Sequence, residues 1–349
     1  MDKEPLFGKT LAQIQEIILG MNAPRYTARQ ITDWLYKKNI SSIDEMSNVS
    51  KKIRAALSEK YTTGIQEPEN VHVSADGTKK YLFKISDHGF IESAYIPENK
   101  RATLCLSSQV GCKMGCVFCM TGKQGFQANL NAGEILNQLR SIPEKEKVTN
   151  LVYMGMGEPM DNLEAVMQSL EILTAGWGFA WNPRKITVST IGIVPAMHYF
   201  LENSPCHLAV SLHSPFEEER RMLMPVSQKY PLQAVLTELK NHDFGRQRRV
   251  SFEYIVFNNL NDTPRHVKEL ARVLNGLNCR INLIRFHVIP DSPLKGTDEK
   301  RLLLFKEALN AKGIITTIRA SRGRDIDAAC GLLSTRKMNN IKIKSRKIK

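Results

Sequence analysis

From about residue 103 the chain alternates apolar strand-like runs with amphipathic helical stretches, and few folds accommodate that rhythm. The strand-like runs are Thr103–Ser107, Thr149–Met154, Lys185–Thr190, His207–Leu212, Arg249–Val256, Arg280–Val288 and Ile315–Arg319. Helix-patterned stretches such as Asn162–Leu173, Leu232–Lys240, Arg265–Leu274 and Glu299–Ala311 lie between them. Strands separated by helices join as βαβ units in a parallel sheet. Six or seven such units predict an α/β fold, either a full or partial (β/α) barrel or an open doubly wound sheet.

The segments before the alternation read differently. Residues 1–65 carry helical spacing at Ile14, Ile17 and Ile18, and again at Ile31, Trp34 and Leu35, without a strand pattern. Between 66 and 100 the period shifts towards two, through Val71, Val73, Tyr81, Phe83, Ile85 and Ile91. Asp76-Gly77 and Asp87-His88-Gly89 supply turns there. That stretch predicts a small antiparallel element linking a helical domain to the alternating region, residues 101–335.

Charge adds a partner class. The formal net charge is +14, and half of it sits on Arg336–Lys349, which has seven basic side chains and no acidic one. A basic tail fits a polyanion such as nucleic acid; the other reading is a solvated terminus. No apolar run approaches the roughly 20 residues of a membrane span. Seven cysteines in 349 residues make no disulfide scaffold, and the N-terminus lacks the apolar core of a secretory signal. A reducing, cytoplasmic setting is expected, with the cysteines in metal or catalytic roles.

The polar residues that do not suit a packed interior fall where strands end. Cys112 follows the first strand, Gly157-Glu158 the second, Ser189 the third, Ser211 and His213 the fourth, and His287 the sixth. In a barrel these positions share one mouth. The strongest of them is Cys112, Cys116 and Cys119, in C-x3-C-x2-C spacing. Three close thiolates suit a soft-metal centre; a structural zinc site usually needs a fourth ligand nearby, and none follows. A [4Fe–4S] cluster takes four ligands, so three cysteines leave one iron open to a small molecule.

C-x3-C-x2-C after the first barrel strand, with Phe118 between the last two cysteines, resembles the radical S-adenosylmethionine (SAM) superfamily. Leu104-Cys105-Leu-Ser-Ser-Gln-Val-Gly-Cys112, Met154-Gly-Met-Gly-Glu-Pro159, Ser189-Thr-Ile-Gly, Ser211-Leu-His213 and Asp325-Ile-Asp-Ala-Ala-Cys330-Gly resemble the RlmN/Cfr adenosine methyltransferases, in order, from about Phe7 to Leu333. The resemblance implies a partial (β/α)6 TIM-like radical SAM barrel with a small helical N-terminal accessory domain that binds RNA. It implies a monomeric, cytoplasmic enzyme, with no membrane partner, fed by an electron donor such as flavodoxin or ferredoxin. It implies methylation of carbon 2 of adenosine in 23S rRNA and beside the anticodon of tRNA. The alternative is a Cfr-type enzyme acting on carbon 8. Pro159 favours the carbon-2 type, since Cfr-type chains tend to carry alanine there.

Residue roles carry over from the same resemblance. Cys112, Cys116 and Cys119 would hold the [4Fe–4S] cluster. SAM would meet Gly157, Glu158, Ser189, Ser211, Leu212, His213 and His287, although the family commonly has asparagine at the last position. Cys330 would take a methyl group from one SAM, and a radical from a second SAM would activate it. Cys105 would resolve the protein–RNA adduct and form a transient disulfide with Cys330. Glu92 would be the proton acceptor; Ile91 and Tyr95 beside it predict a half-buried strand. Cys206 and Cys279 match no motif and read as core.

Overall fold

Two-residue strands bracket the N-terminal helices: β1 (Glu4–Pro5), α1 (Leu11–Gly20), α2 (Tyr26–Tyr36), α3 (Lys51–Lys60) and β2 (Tyr61–Thr62). These belong to a computed structural model that describes residues 3–38, 40–244 and 250–333; the basic tail from Arg336 lies outside the described residues. Thr10 opens α1 with a capping box, its hydroxyl accepting from Gln13 N–H at 3.2 Å while Gln13 accepts from Thr10 N–H at 2.8 Å. The parallel β1–β2 contact was not expected, because two residues are too few to show a period of two.

The helical unit shares one hydrophobic core with the rest of the chain. Ile14, Ile18, Ile31 and Leu35 are buried in the same cluster as the barrel residues Leu136, Leu151 and Val188. Rings from both sides meet: Tyr36 lies 5.5 Å from Phe7 and 6.0 Å from Trp177. Gly8, at φ +96°, approaches Gly133 so closely that a Cβ would stand 2.3 Å from the Gly133 nitrogen. Gln168 donates to the Gly8 carbonyl at 2.6 Å.

Strands β3 (Asn70–Val73), β4 (Lys79–Ile85) and β5 (Gly89–Pro97) form the expected antiparallel meander. The meander is more than a linker. Strand β5 pairs antiparallel with β6 (Ala102–Cys105), setting Ala94 opposite Cys105, so it extends the barrel sheet. After β6 the ribbon β7 (Gln109–Val110) and β8 (Ala128–Asn129) closes the cysteine loop around α4 (Met120–Gln124), and α5 (Ala132–Arg140) follows.

Six further strands run parallel to β6 in chain order: β9 (Asn150–Tyr153), β10 (Ile186–Thr190), β11 (His207–Ser211), β12 (Val250–Val256), β13 (Cys279–Arg285) and β14 (Ile315–Ile318). Their crossovers carry α6 (Leu163–Thr174), α7 (Val194–Asn203), α8 (Glu217–Leu223), α9 (Leu232–Asn241), α10 (Pro264–Val273) and α11 (Glu299–Ala311). The parallel strands follow chain order with none of the reversal of a doubly wound sheet, and the sheet ends, β14 and β3, do not pair, so the barrel is partial. Strands stop earlier than the apolar runs suggested: β9 ends at Tyr153, where Met154 and Gly155 turn to line the mouth, and β6 ends at Cys105, after which Leu106 stays in the core and Ser107 Oγ donates to Glu92 O at 2.6 Å.

Barrel interiors are ordinarily filled by branched apolar side chains. Here Thr187, His207, Ser251, Glu253, Arg280, Asn282 and Thr317 face a polar cavity of about 730 Å³ at the strand starts. The barrel is therefore hollow beneath its mouth.

Candidate active site

Cys112, Cys116 and Cys119 line one cavity of about 160 Å³ at the C-terminal ends of the strands. The loop is fixed by its backbone: Cys112 N–H donates to Gly125 O at 3.1 Å and Val117 N–H to Leu223 O at 3.1 Å. Burial pushes the Cys112 thiol up to about 12 and the Cys116 thiol well above its usual value. Bare, these are protonated thiols; a metal centre would draw off the protons. Among the described residues no set of three or more His, Cys, Asp or Glu side chains is gathered tightly enough for a single metal ion. Three cysteines around one cavity are one ligand short of a closed structural zinc site and match a cluster with one iron left open.

Beside the sulfurs, Gly157, Glu158, Ser189, Ser211 and His213 line the same cavity, as expected from their places after the strands. Gly157 has φ +96°, and a Cβ there would fall 2.5 Å from the Gln109 side chain. Glu158 is buried, accepting from Met160 N–H at 3.1 Å and Ile191 N–H at 3.0 Å. Burial pushes its carboxyl up to about 7. His213 sits in the left-handed region at φ 57°. Its Nδ1 accepts from Ile255 N–H at 3.0 Å, so the proton is on Nε2. Burial, and then the Arg220 charge, depress its pKa to about 3. Phe118 packs edge-on against it at 4.7 Å.

Leu212 departs from expectation. Its side chain is buried in the main core, and its N–H donates to Glu253 O at 3.0 Å. Alternation along the chain sends Ser211 and His213 into the cavity and Leu212 away from it.

Cys105 and Cys330 meet in an adjoining cavity of about 90 Å³, together with His287, Met154 and Arg319. His287 thus stands with the two cysteines rather than among the other proposed SAM residues; burial lowers its pKa. Burial, and then Cys330, push the Cys105 thiol up to about 12. The Cys330 loop is tied on two sides. Ser74 Oγ donates to Asp325 Oδ1 at 2.5 Å, and Gly323 N–H to Asp76 Oδ2 at 2.9 Å, which binds it to the β3–β4 turn. Met120 N–H donates to Gly331 O at 2.8 Å and Thr121 Oγ1 to Leu333 O at 2.7 Å, which binds it to α4 after the cysteine loop. Glu92 is more deeply buried than expected and forms an ion pair with Lys80 at 3.0 Å; it lines neither cavity. Cys206 is core, whereas Cys279 is half-buried.

Two arginines were not anticipated. Arg220 is fully buried and donates to Ile191 O and Ser227 Oγ, each at 2.8 Å, and to Ser211 O at 3.3 Å. It joins the loops after β10 and β11, which carry cavity residues. Nothing in Glu-Glu-Glu-Arg-Arg-Met-Leu distinguishes it from a solvated helix face. Arg319 borders all three cavities. Its only advance signal was a charge at the end of an apolar strand.

Comparison with known proteins decides the family. Residues 106–274 match the Radical SAM superfamily and residues 5–62 match the ribosomal RNA large subunit methyltransferase N-terminal domain. The chain is 53% identical to the probable dual-specificity RNA methyltransferase RlmN of Phocaeicola vulgatus, over 97% of both chains. The chain belongs to the RlmN family. A more distant RlmN, from Syntrophus aciditrophicus, is 42% identical over 93% of this chain and 94% of its own. The crystal structure of a radical SAM methyltransferase from Sphaerobacter thermophilus superposes with a TM-score of 0.88 at 38% identity, covering 95% of this chain and 99% of that one. RlmN membership makes the chain a SAM-dependent RNA methyltransferase of the radical type, and that superfamily works with a [4Fe–4S] cluster. No helix among the described residues is long and apolar enough to cross a membrane.

Proposed function

We propose that this chain methylates carbon 2 of adenosine in 23S rRNA and of the adenosine beside the tRNA anticodon. The observation that carries this is the adjacency of two cysteine sites, three sulfurs around one cavity and Cys105 with Cys330 around its neighbour. A methyltransferase that passed its methyl group directly from SAM to RNA would have no use for the second pair. Cys112, Cys116 and Cys119 hold the cluster. Bound there, the cluster and SAM supply a strongly hydrogen-abstracting radical, with an electron from a donor such as flavodoxin or ferredoxin.

The other residues bind, orient and carry. Gly157 admits the cofactor to the backbone, and Glu158 accepts from its amine. Ser189, Ser211 and the Nε2–H of His213 offer hydrogen bonds to its sugar and base. Cys330 takes the methyl group on sulfur and presents it to the RNA base. Once the adduct has given up one electron and the carbon-2 proton, the Cys105 thiolate attacks the Cys330 sulfur; the carbon–sulfur bond breaks, the released carbon takes up a proton to become the methyl group, and a Cys105–Cys330 disulfide is left for solution thiols to reduce. Glu92, buried against Lys80 and lining neither cavity, would reach the proton lost from carbon 2 only through an intervening group. The helical unit and the tail from Arg336 grip RNA phosphates.

Anaerobic reconstitution with iron, sulfide, SAM and a reductant tests the reading. Nucleosides from a target stem-loop are then analysed by mass spectrometry. The expected product is 2-methyladenosine, lost in Cys116→Ala together with the iron absorbance, and lost in Cys330→Ala with the absorbance intact. A carbon-8 product, or methylation by Cys330→Ala, overturns it.

A further inference from the structure

Arg319 stands at the junction of the two cysteine cavities. It borders the cavity of Cys105 and Cys330 and the cavity of the cysteine triad. Its neighbour Cys330, outweighing burial, holds the guanidinium more firmly protonated than usual. One nitrogen is held: Nη1 donates to Met154 Sδ at 3.1 Å and faces Glu253 Oε2 at 3.6 Å. Glu253 is itself buried and held by Asn282, which donates to its Oε1 at 2.7 Å and accepts from Thr317 at 2.8 Å. Its Oε2 has no hydrogen-bond partner among the described residues. Nε and Nη2 of Arg319 have no partner among the described residues either. About a quarter of the Arg319 side chain is exposed, so three N–H groups beside the two cysteines meet solvent in the cavities rather than a protein acceptor.

We infer that Arg319 hydrogen-bonds a ring nitrogen flanking carbon 2 of the target adenine and so activates that carbon, with Glu253 as its positioning residue. This rests on the reading that Cys330 delivers the methyl carbon. The sulfur-bound carbon radical is electron-rich and adds to an electron-poor ring. Addition forms one carbon–carbon bond, consumes the adjacent carbon–nitrogen π bond, and shifts spin and electron density onto the flanking nitrogen. A cationic N–H aimed at that nitrogen stabilises the charge that develops there. The guanidinium keeps all its protons, so no co-reactant is needed. The inner end of its fork fixes orientation through Met154 and Glu253, and the outer end is free for the base.

The test is a chemical double-mutant cycle. Native protein and Arg319→Met are compared on stem-loops carrying adenine, 1-deaza-adenine or 3-deaza-adenine at the target. Arg319→Met should slow RNA methylation about 100-fold. SAM binding by equilibrium dialysis, 5′-deoxyadenosine release and the methyl mass on Cys330 should all persist. One deaza base should slow the native protein about as much, and slow Arg319→Met less than threefold further. Stem-loop affinity of the cluster-free protein, read by anisotropy, should show the same coupling. Arg319→Lys should recover part of the rate. Glu253→Gln should lower kcat with little change in KM for RNA; should Arg319→Met fail to fold, these two variants run the same cycle. Losses that multiply overturn the inference, as does loss of SAM binding, which would make Arg319 a cofactor contact. Absence of a methyl group on Cys330 in native protein overturns the underlying reading instead.

Discussion

His213 stands between the cysteine cavity and the core, and its environment makes a pH prediction. Its folded pKa is about 3, below the ordinary imidazole value of 6.5. Above pH 6.5 the ring is neutral in both states and contributes no pH dependence. Below it the unfolded chain takes up a proton that the native site refuses, so stability falls as the pH drops from 6.5 towards 3. The slope from this one group is at most about 1.4 kcal/mol per pH unit. Urea unfolding of cluster-free protein across that range should show a shallower acid limb in His213→Gln; parallel curves would show that the ring protonates in place. At this scale the sequence was most informative for residues whose chemistry is costly to bury. Cys112, Glu158 and His213 announced themselves by type and by position after a strand. The side chain of Leu212 lies in the core while its motif neighbours line the cavity, because a motif does not say which of its members face inward. The irregular loop of His287 did not show that it would line the adjoining cavity with Cys105 and Cys330, and Arg319 went unassigned.

Among the elements, α8 contributes less through its helix than through one side chain. Arg220 satisfies carbonyls from two different loops, and burial lowers its pKa to about 10, still charged at neutrality. Replacing it with methionine keeps the volume but strands Ile191 O and Ser227 Oγ. That should cost about 3 kcal/mol, read as a lower melting temperature. SAM affinity should fall in step, because the Ser211 carbonyl and the loop from Ile191 lose their anchor. An unchanged affinity in a folded Arg220→Met would separate the loops from the arginine. Element positions were largely legible: α11 runs over Glu299–Ala311 as its pattern indicated, and α10 differs by one residue at each end. Strand ends were not, because apolar character continues past the last ladder bond into the mouth. The polar interior was visible as Ser251-Glu253 and Arg280-Asn282 in alternate positions, but only the barrel tells which face of the sheet is the inside.

Across the whole molecule, the helical unit is fused to the barrel rather than appended to it. A Cβ on Gly133 would stand 2.5 Å from Phe7 O. Gly133→Ala should cost about 1–3 kcal/mol and lower the melting temperature by roughly 5 °C. One cooperative transition should remain, whereas two separate transitions would mean that the shared core is divisible. The sequence placed the helices but could not show this fusion, since contacts such as Gly8 with Gly133 join residues far apart in the chain. The same separation governs the Cys330 loop, whose clamp from Ser74 to Asp325 spans 251 positions. A nascent chain leaving its ribosome therefore holds the cysteine triad and most of the mouth before Cys330 exists to be seated. Closure waits for the final stretch of translation, and a chain released early is a barrel without its reactive arm. A completed chain, in turn, acquires its chemistry as the last act of folding, when the C-terminal loop finds a turn made some 250 residues earlier.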